Sequence, residues 1–360
     1  GGHMSAPVRR RRTGPAGTTL REVARQAGVS QITASRAVRQ PDQVAPATLA
    51  RVRAAMDALG YQANAIASGL ASGRSPVVPV VIPTLTHPVY VPVLRGINEV
   101  LEPHGRQVML GTSEYDPAAE ERLLTAMLGW APAGLMLAGM DHLPGARLRL
   151  QRAAQAGTTV IELMDLDGEP VDLAVGISHR QVGRAAAEWF AARGFRHVAY
   201  LGAMAGLDLR SQRRRQGFAA ALRARGLADD ALAVSDEPFS LALGGRLLAQ
   251  LLDRQPQVQA VFCANDELAA GALFEARRRG LRVPEDLALM GFNDTEIATV
   301  VEPAISSIAV DRYGMGRIAA ELLLERLGGG APGPRTIDRG FSIIERATTG
   351  APPRRPEASP

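Results

Sequence analysis

The chain has 360 residues, 46% of them hydrophobic and 21% charged, which excludes global disorder and points to two or three globular units. Its net charge is +5, unevenly spread: residues 1–75 carry eleven arginines against Glu22, Asp42 and Asp57, a net of +8, and the remainder carries −3. A basic head on a mildly acidic body is the electrostatic footprint of a nucleic-acid-binding module attached to something else.

All 41 basic residues are arginine, a bias expected of a GC-rich bacterial genome. The single cysteine, Cys263, lies in an apolar run and reads as a small buried hydrophobe in a reducing cytoplasm. No stretch approaches membrane-spanning length, and the N-terminus lacks the apolar core of a signal peptide. The expectation is a cytoplasmic, nucleoid-associated protein with no membrane partner. Gly1-Gly2-His3 before Met4 reads as an expression-tag scar.

Residues 1–17 are expected to be a disordered tag and basic tail. Residues 18–63 are helical in pattern. Thr19 and Glu22 form an S/T-x-x-E capping box, and Leu20, Val23, Ala24 and Ala27 share one face of the helix that follows. Gly28 ends that helix, and Ser30 caps a second at 31–39. The spacing A-x-x-x-G-V-S, with small Ala24 at a helix crossing and Gly28 in the turn, is the helix-turn-helix pattern. A third helix, Pro46 to Leu59, offers Leu49, Val52, Met56 and Leu59 to bury the back of the pair. On the second helix Ala34, Ala37 and Val38 face inward, while Gln31, Ile32, Ser35 and Arg36 face outward. Arg36 suits guanine, Gln31 adenine, and Ile32 a thymine methyl. Thr33, Ser35 and the helix N-termini at Thr19 and Ser30 suit phosphate contacts. The bland alternative is a helical hairpin with a solvated polar face. The +8 charge and the architecture downstream weigh against it.

Residues 64–75 form a short linker rich in small residues. From Val77, apolar β-type runs alternate with helical runs. The first series has strands at 76–83, 106–111, 133–139 and 158–164, with helices over Val93–His104, Ala118–Gly129 and Ala146–Ala156. The second has strands at 172–177, 196–202, 259–266 and 286–292, with helices over Val182–Arg193, Arg213–Arg225 and Glu267–Arg279. This alternation predicts parallel sheets of right-handed βαβ units, buried on both faces, in two similar α/β subdomains. Open α/β sheets bind ligands beyond the strand C-termini. The residues there include Thr86, His87, Tyr90, Tyr115, Asp165, Ser178, His179, Arg210, Arg214, Asn265 and Asn293, a set suited to a polyhydroxylated or anionic ligand. Each has a bland reading as well. Asp266 caps its helix, Asn265 holds the turn, Asn293 and Asp294 are turn residues, and His87 closes a loop before Pro88.

Enzyme motifs are lacking. Without lysine there is no Walker A loop, and there is no H-E-x-x-H, G-x-S-x-G or cysteine-ligand cluster. No cofactor and no metal are expected.

The segment from Thr19 to Leu70, TLREVARQAGVSQITASRAVRQPDQVAPATLARVRAAMDALGYQANAIASGL, resembles the head and hinge of the LacI/GalR (lactose and galactose repressor) family. The likeness continues to about residue 347. It implies a helix-turn-helix head at 18–63, a hinge at 64–75, and a periplasmic-binding-protein-like core at 76–347 of two doubly wound parallel-sheet subdomains. The first would take about 76–175 and 309–336, the second about 176–308 and 337–347, leaving 348–360 disordered. By resemblance, Asn64 to Ala71 is a hinge helix that folds on operator DNA, and Leu70 is the leucine that wedges into the central base step. Two hinge residues depart from pattern: Gly69 weakens a helix by roughly 1 kcal/mol against Ala, and Ala65 replaces a polar or basic residue. Arg214, in R-x-x-G-F, resembles the family's effector-contacting arginine. Asn293 stands where sugar-binding relatives often carry Asp, and Ser178-His179 replaces an Asp-Asn pair.

YDPAAEERLLTAMLGWAPAGLMLAG (115–139), VIELMD (160–165) and RQPDQVA (39–45) resemble the gluconate-operon repressor branch. The implied function is a homodimeric repressor released from a palindromic operator by a sugar acid such as gluconate. Arg210 or Arg214 would take the carboxylate, and Asp165, Asn265 and Asn293 the hydroxyls. The alternatives are a corepressor-activated regulator of the same family, a solute-binding protein for a sugar, or a sugar-active enzyme. The polar, proline-rich C-terminus carries no tetramerising heptad.

Overall fold

A computed structural model describes residues 18–61, 75–331 and 333–352. Asn64, Leu70, most of the expected hinge and residues 1–17 lie outside the described residues. The chain divides into two units between Ser75 and Pro76.

The first unit is a three-helix head, α1 (Leu20–Ala27), α2 (Gln31–Arg39) and α3 (Pro46–Leu59). Its start follows from reciprocal capping: Thr19 N donates to Glu22 Oε2 at 2.7 Å, and Glu22 N to Thr19 Oγ1 at 3.4 Å. Gly28 closes α1 at φ +64°, a left-handed conformation that costs a residue with a Cβ far more than glycine. Ser30 Oγ then accepts from Thr33 N at 3.0 Å and starts α2. Val23, Ala24, Ala27, Ala34, Ala37, Val52 and Ala55 are buried between the helices. Val38 is only half-buried. The small side chains let α1 and α2 cross closely. Thr18 Oγ1 donates to Leu59 O at 2.9 Å, which ties the two ends of the head together.

The second unit begins at β1 (Val77–Ile82), whose six residues are all buried. There follow α4 (Tyr90–Leu101), β2 (Gln107–Thr112), α5 (Pro117–Leu128), β3 (Gly134–Ala138), α6 (Pro144–Gln155), β4 (Thr159–Leu163), β5 (Leu173–Gly176), α7 (His179–Ala192), β6 (Val198–Gly202) and α8 (Leu209–Ala224). Then come β7 (Leu232–Val234), α9 (Leu241–Arg254), β8 (Ala260–Cys263), α10 (Asp266–Arg278), β9 (Ala288–Asn293), α11 (Glu296–Val300), β10 (Ser306–Ala309), α12 (Arg312–Leu327), β11 (Arg335–Asp338) and β12 (Ser342–Ile344). Two six-stranded sheets result, ordered β11-β5-β4-β3-β1-β2 and β12-β10-β9-β8-β6-β7. All pairings are parallel except β10 with β12. Among the described residues, no helix is long and apolar enough to cross a membrane.

Several expectations need correction. The run 172–177 belongs to the first sheet, as β5 beside β4, not to the second series. Each sheet has six strands rather than about four. The alternation in the sequence does not show β7 or α9, and it gives the chain after β9 only as subdomain ranges without elements. β11 pairs Ile337 with Val175 and Asp338 with Gly176, so 337–338 lie in the first sheet and the chain recrosses at 339–341. Residues 348–352 are ordered, not disordered. Thr348 is fully buried, its hydroxyl accepting from Ser306 N at 2.9 Å and donating to Leu289 O at 2.7 Å.

Helices meet through reciprocal glycines. A Cβ on Gly183 in α7 would stand 1.8 Å from Arg214 O in α8, and one on Gly217 in α8 would stand 2.0 Å from Arg180 O in α7. Gly96 and Gly316 join α4 to α12 in the same way, and Gly244 and Gly271 join α9 to α10. Backbone therefore rests on backbone, and the α7 contact fixes where Arg214 sits. Gly183→Ala forces the pair apart and is expected to cost about 1–3 kcal/mol, the usual range for overpacking. Denaturant unfolding checks this, and an unchanged midpoint would contradict it.

Candidate functional site

On the head, Gln31, Ile32 and Arg36 share one open face of α2, and Ile32 is 73% exposed. A large apolar side chain held out between an amide and a guanidinium is the chemistry that reads base edges in a major groove. Other residues named for DNA contact have partners within the head. Thr33 Oγ1 lies 2.8 Å from Ser30 Oγ, Thr19 is used in the capping box, and Ser35 is held by the Arg39 guanidinium.

In the second unit the loops after the strands converge between the two sheets. Among the described residues, six of the seven non-glycine residues with positive φ lie there: Glu114 and Tyr115 after β2, Met164 after β4, Met204 after β6, and Asn293 and Asp294 at the end of β9. Such backbone costs about 1–3 kcal/mol per residue and clusters at ligand sites.

An inner chamber of about 30 Å³ is lined by His87, Tyr90, Tyr115, His179, Asp208, Arg210, Arg214, Phe292, Asn293 and Arg312, among others. Three guanidiniums point into it. Arg210 Nη2 donates to Tyr90 Oη at 2.7 Å, Arg214 Nη2 to Ala264 O at 3.1 Å, and Arg312 Nη2 to Asn293 Oδ1 at 2.7 Å. Arg214 also lies over the Phe292 ring, 4.1 Å from its centroid. His179 Nε2 sits 2.9 Å from Met164 O, a carbonyl that only accepts, so Nδ1 is the bare nitrogen facing Arg214 Nη1 at 2.8 Å. Burial, reinforced by the Arg214 charge, holds His179 well below the ordinary imidazole range. Burial and the Arg312 charge push His87 down to about 4. Both imidazoles are therefore neutral near pH 7. Burial and the charges of Arg210 and Arg214 push Arg312 down to about 9. Among the described residues, the one carboxylate lining the chamber is that of Asp208, which also caps α8 through Ser211 N.

Polar atoms without a protein partner belong to this lining: Arg210 Nη1, Arg214 Nε, and Arg312 Nε and Nη1. All four are donors. Buried donors in such number call for an acceptor, and buried positive charge calls for an anion.

Of the residues named from sequence, Tyr90, Arg210, Arg214 and Asn293 line the inner chamber. Thr86 lines a larger outer chamber, and His87 and Tyr115 line both. Asn265 is the N-cap of α10, accepting from Leu268 N at 2.9 Å with its Nδ2 left over. Asp266, expected to be that cap, instead bonds Ser307 Oγ at 2.6 Å and Thr295 N at 2.7 Å. Asp165 is the clear correction. It lines neither chamber, because it binds Arg213 and accepts from Asp167 N at 2.9 Å. Arg312 and Asp208 went unnamed, and His179 was noted only within the Ser178-His179 pair. Arg312 opens α12, an element the sequence reading did not contain, whereas Asp208 stands three residues before Ser211 and could have been found as its cap.

Arg213, one residue before Arg214, reaches across from α8 to Asp141 and Asp165 on the first subdomain. Beside Asp141, His142 is almost wholly buried between Glu120 Oε1 (2.6 Å) and Glu162 Oε1 (3.1 Å). Burial alone would lower its pKa, but the two carboxylates outweigh burial and hold it up to about 9. A base raised above its unfolded value stabilises the fold fully below about pH 6.5 and loses that contribution as pH rises through about 9. Urea unfolding of the protein and of His142→Gln at about pH 6 and about pH 9.5 is expected to give a stability gap that narrows at the higher pH. A gap that widens would contradict the assignment. Among the described residues, no group of three or more His, Cys, Asp and Glu could hold a metal ion.

Comparison with known proteins matches residues 19–64 to "Bacterial regulatory proteins, lacI family" and residues 187–349 to "Periplasmic binding protein-like domain". The HTH-type transcriptional regulator GntR of Pseudomonas aeruginosa is 43% identical over 332 residues, covering 92% of this chain and 95% of the relative. The crystal structure of a LacI-family transcriptional regulator from Silicibacter pomeroyi superposes with a TM-score of 0.84 at 36% identity, covering 92% of this chain and 99% of that one. The lac repressor dimer bound to operator and the anti-inducer ONPF superposes with a TM-score of 0.76 at 25% identity, over 93% of this chain and all of that one. With a helix-turn-helix head, a two-lobed ligand-binding body and relatives of this likeness along nearly its whole length, the chain belongs to the LacI family of bacterial transcriptional regulators.

Proposed function

We propose that the protein is a cytoplasmic, non-enzymatic repressor that binds a pseudo-palindromic operator as a homodimer and leaves it when a sugar acid enters the cleft, with gluconate the first candidate. The observation that carries the ligand class is the inner chamber: three buried guanidiniums with unpaired N–H groups, faced by one carboxylate and two neutral imidazoles. A carboxylate can be gripped bidentately by such groups, while a neutral sugar leaves their charge uncompensated. Asn293, Tyr90 and Tyr115 supply partners for hydroxyls. The resemblance of residues 115–139 and 160–165 to the gluconate-operon repressor branch supports the same class, as does the likeness to GntR.

The chemistry also gives a mechanism. Arg210 and Arg214 lie on α8 of the second subdomain, whereas Arg312 opens α12, which packs on α4 of the first. An anion shared between them replaces repulsion by attraction and changes how the subdomains meet. By linkage, a ligand that favours the DNA-incompetent arrangement binds more weakly when operator is bound. On the head, Gln31, Ile32 and Arg36 read bases. The hinge residues Asn64 and Leu70 enter this account by resemblance alone.

Fluorescence anisotropy with a labelled inverted-repeat operator tests the reading. Gluconate is expected to weaken binding about 5–150-fold, a coupling of about 1–3 kcal/mol. Arg312→Met is expected to raise the gluconate concentration required by about tenfold or more, as loss of a hydrogen bond to a charged group does. Arg36→Ala is expected to cost about 1–3 kcal/mol on the cognate site and much less on random DNA. Tightening by gluconate would make the protein corepressor-activated instead. No preference for any inverted repeat would overturn the proposal.

A further inference from the structure

Outside the arginine chamber lies a second space that a bare sugar acid does not explain. It measures about 340 Å³ against about 30 Å³ for the inner chamber, and the two share His87 and Tyr115 as a common wall. Its lining has another chemistry. Instead of guanidiniums it presents the carboxylates of Glu267 and Glu114, the hydroxyls of Thr84 and Thr86, and the ring of Phe239. Glu267 stands in the first turn of α10, and its Oε2 is buried without a protein partner. Phe239 continues an aromatic wall: its centroid is 5.6 Å from that of His87, which is 6.1 Å from that of Tyr90 in the inner chamber.

An unpartnered carboxylate oxygen beside an aromatic ring is a fitting surface for a sugar ring. The carboxylate accepts hydroxyl protons, and the aromatic ring takes the apolar C–H face. The charge of Glu267 also repels a second acid group, so the two chambers orient one molecule: acid end inward, neutral glycosyl end outward.

Building on the anionic reading of the inner chamber, we propose that the outer chamber is a glycosyl-binding subsite and that the cleft takes a glycosylated sugar acid, an aldonate carrying a second sugar ring. Glu267 holds the hydroxyls of that ring and Phe239 packs against it. A bare hexonate seats its carboxylate in the arginine chamber and makes no contact with Glu267 or Phe239.

Calorimetric titration of the full-length protein tests this with three probes: gluconate, lactobionate (a galactosyl gluconate) and lactose. Lactobionate is expected to bind about tenfold more tightly than gluconate, and lactose weakly or not at all. Glu267→Gln is expected to lower lactobionate affinity about tenfold while leaving gluconate within about twofold, as a contact made only to the second ring requires. Unchanged operator binding by that variant without ligand establishes that it is folded. If lactobionate binds no more tightly than gluconate, or if Glu267→Gln weakens both alike, the glycosyl subsite is overturned while the sugar-acid reading stands. If lactose binds and neither acid does, both fail.

Discussion

Three guanidiniums turned toward one small chamber are the constraint from which the body of this protein is best understood. Burial first, and then the like charges of Arg210 and Arg214, push Arg312 down to about 9. The fold keeps the cluster together by anchoring each cation to neutral partners. Arg210 has the Tyr90 hydroxyl, Arg214 the Ala264 carbonyl and the Phe292 face, and Arg312 the Asn293 amide oxygen. His179 fits this scheme only as a neutral ring. Its proton is committed to the Met164 carbonyl, so its bare nitrogen can accept from Arg214. The arrangement is polarised and leaves buried donors without a protein acceptor.

Much of the remaining architecture serves to place those groups. The strained turns after β2, β4, β6 and β9 carry Tyr115, Met164, Met204 and Asn293 to the space between the sheets. The glycine contact between α7 and α8 lays backbone on backbone, so the helix bearing Arg210, Arg213 and Arg214 has little freedom to slide. Arg213 meanwhile spans to Asp141 and Asp165, and the nearby buried His142 is clasped by Glu120 and Glu162. Interactions from both subdomains therefore meet at one end of α8, where a change in ligand charge is felt by both.

The parts of the structure governed by local chemistry were legible in the sequence. Thr19 and Glu22 announce their capping box by spacing, Gly28 its left-handed turn, and the run at Val77 its doubly buried strand. Interactions made at long range were not. β10, β11 and β12 are four, four and three residues long and exist because distant strands receive them, so they carry no local signal, whereas the sixteen-residue α12 with its Asp311 cap does carry one. Arg312 went unnamed with its helix. Asp165 was placed correctly at a strand end, but its role depends on an arginine 48 residues away. Asn265 and Asp266 exchanged expected parts because either side chain can cap a helix, and only the approach of Ser307 and Thr295 decides between them.

The central claim is that charge, not shape alone, selects the ligand of the inner chamber. Its most direct test is a calorimetric comparison of gluconate with glucitol, which has the same six-carbon polyol chain and no carboxylate. Heat of binding for gluconate that disappears in Arg214→Met, with none for glucitol, is the predicted result. Glucitol binding as tightly as gluconate would contradict it.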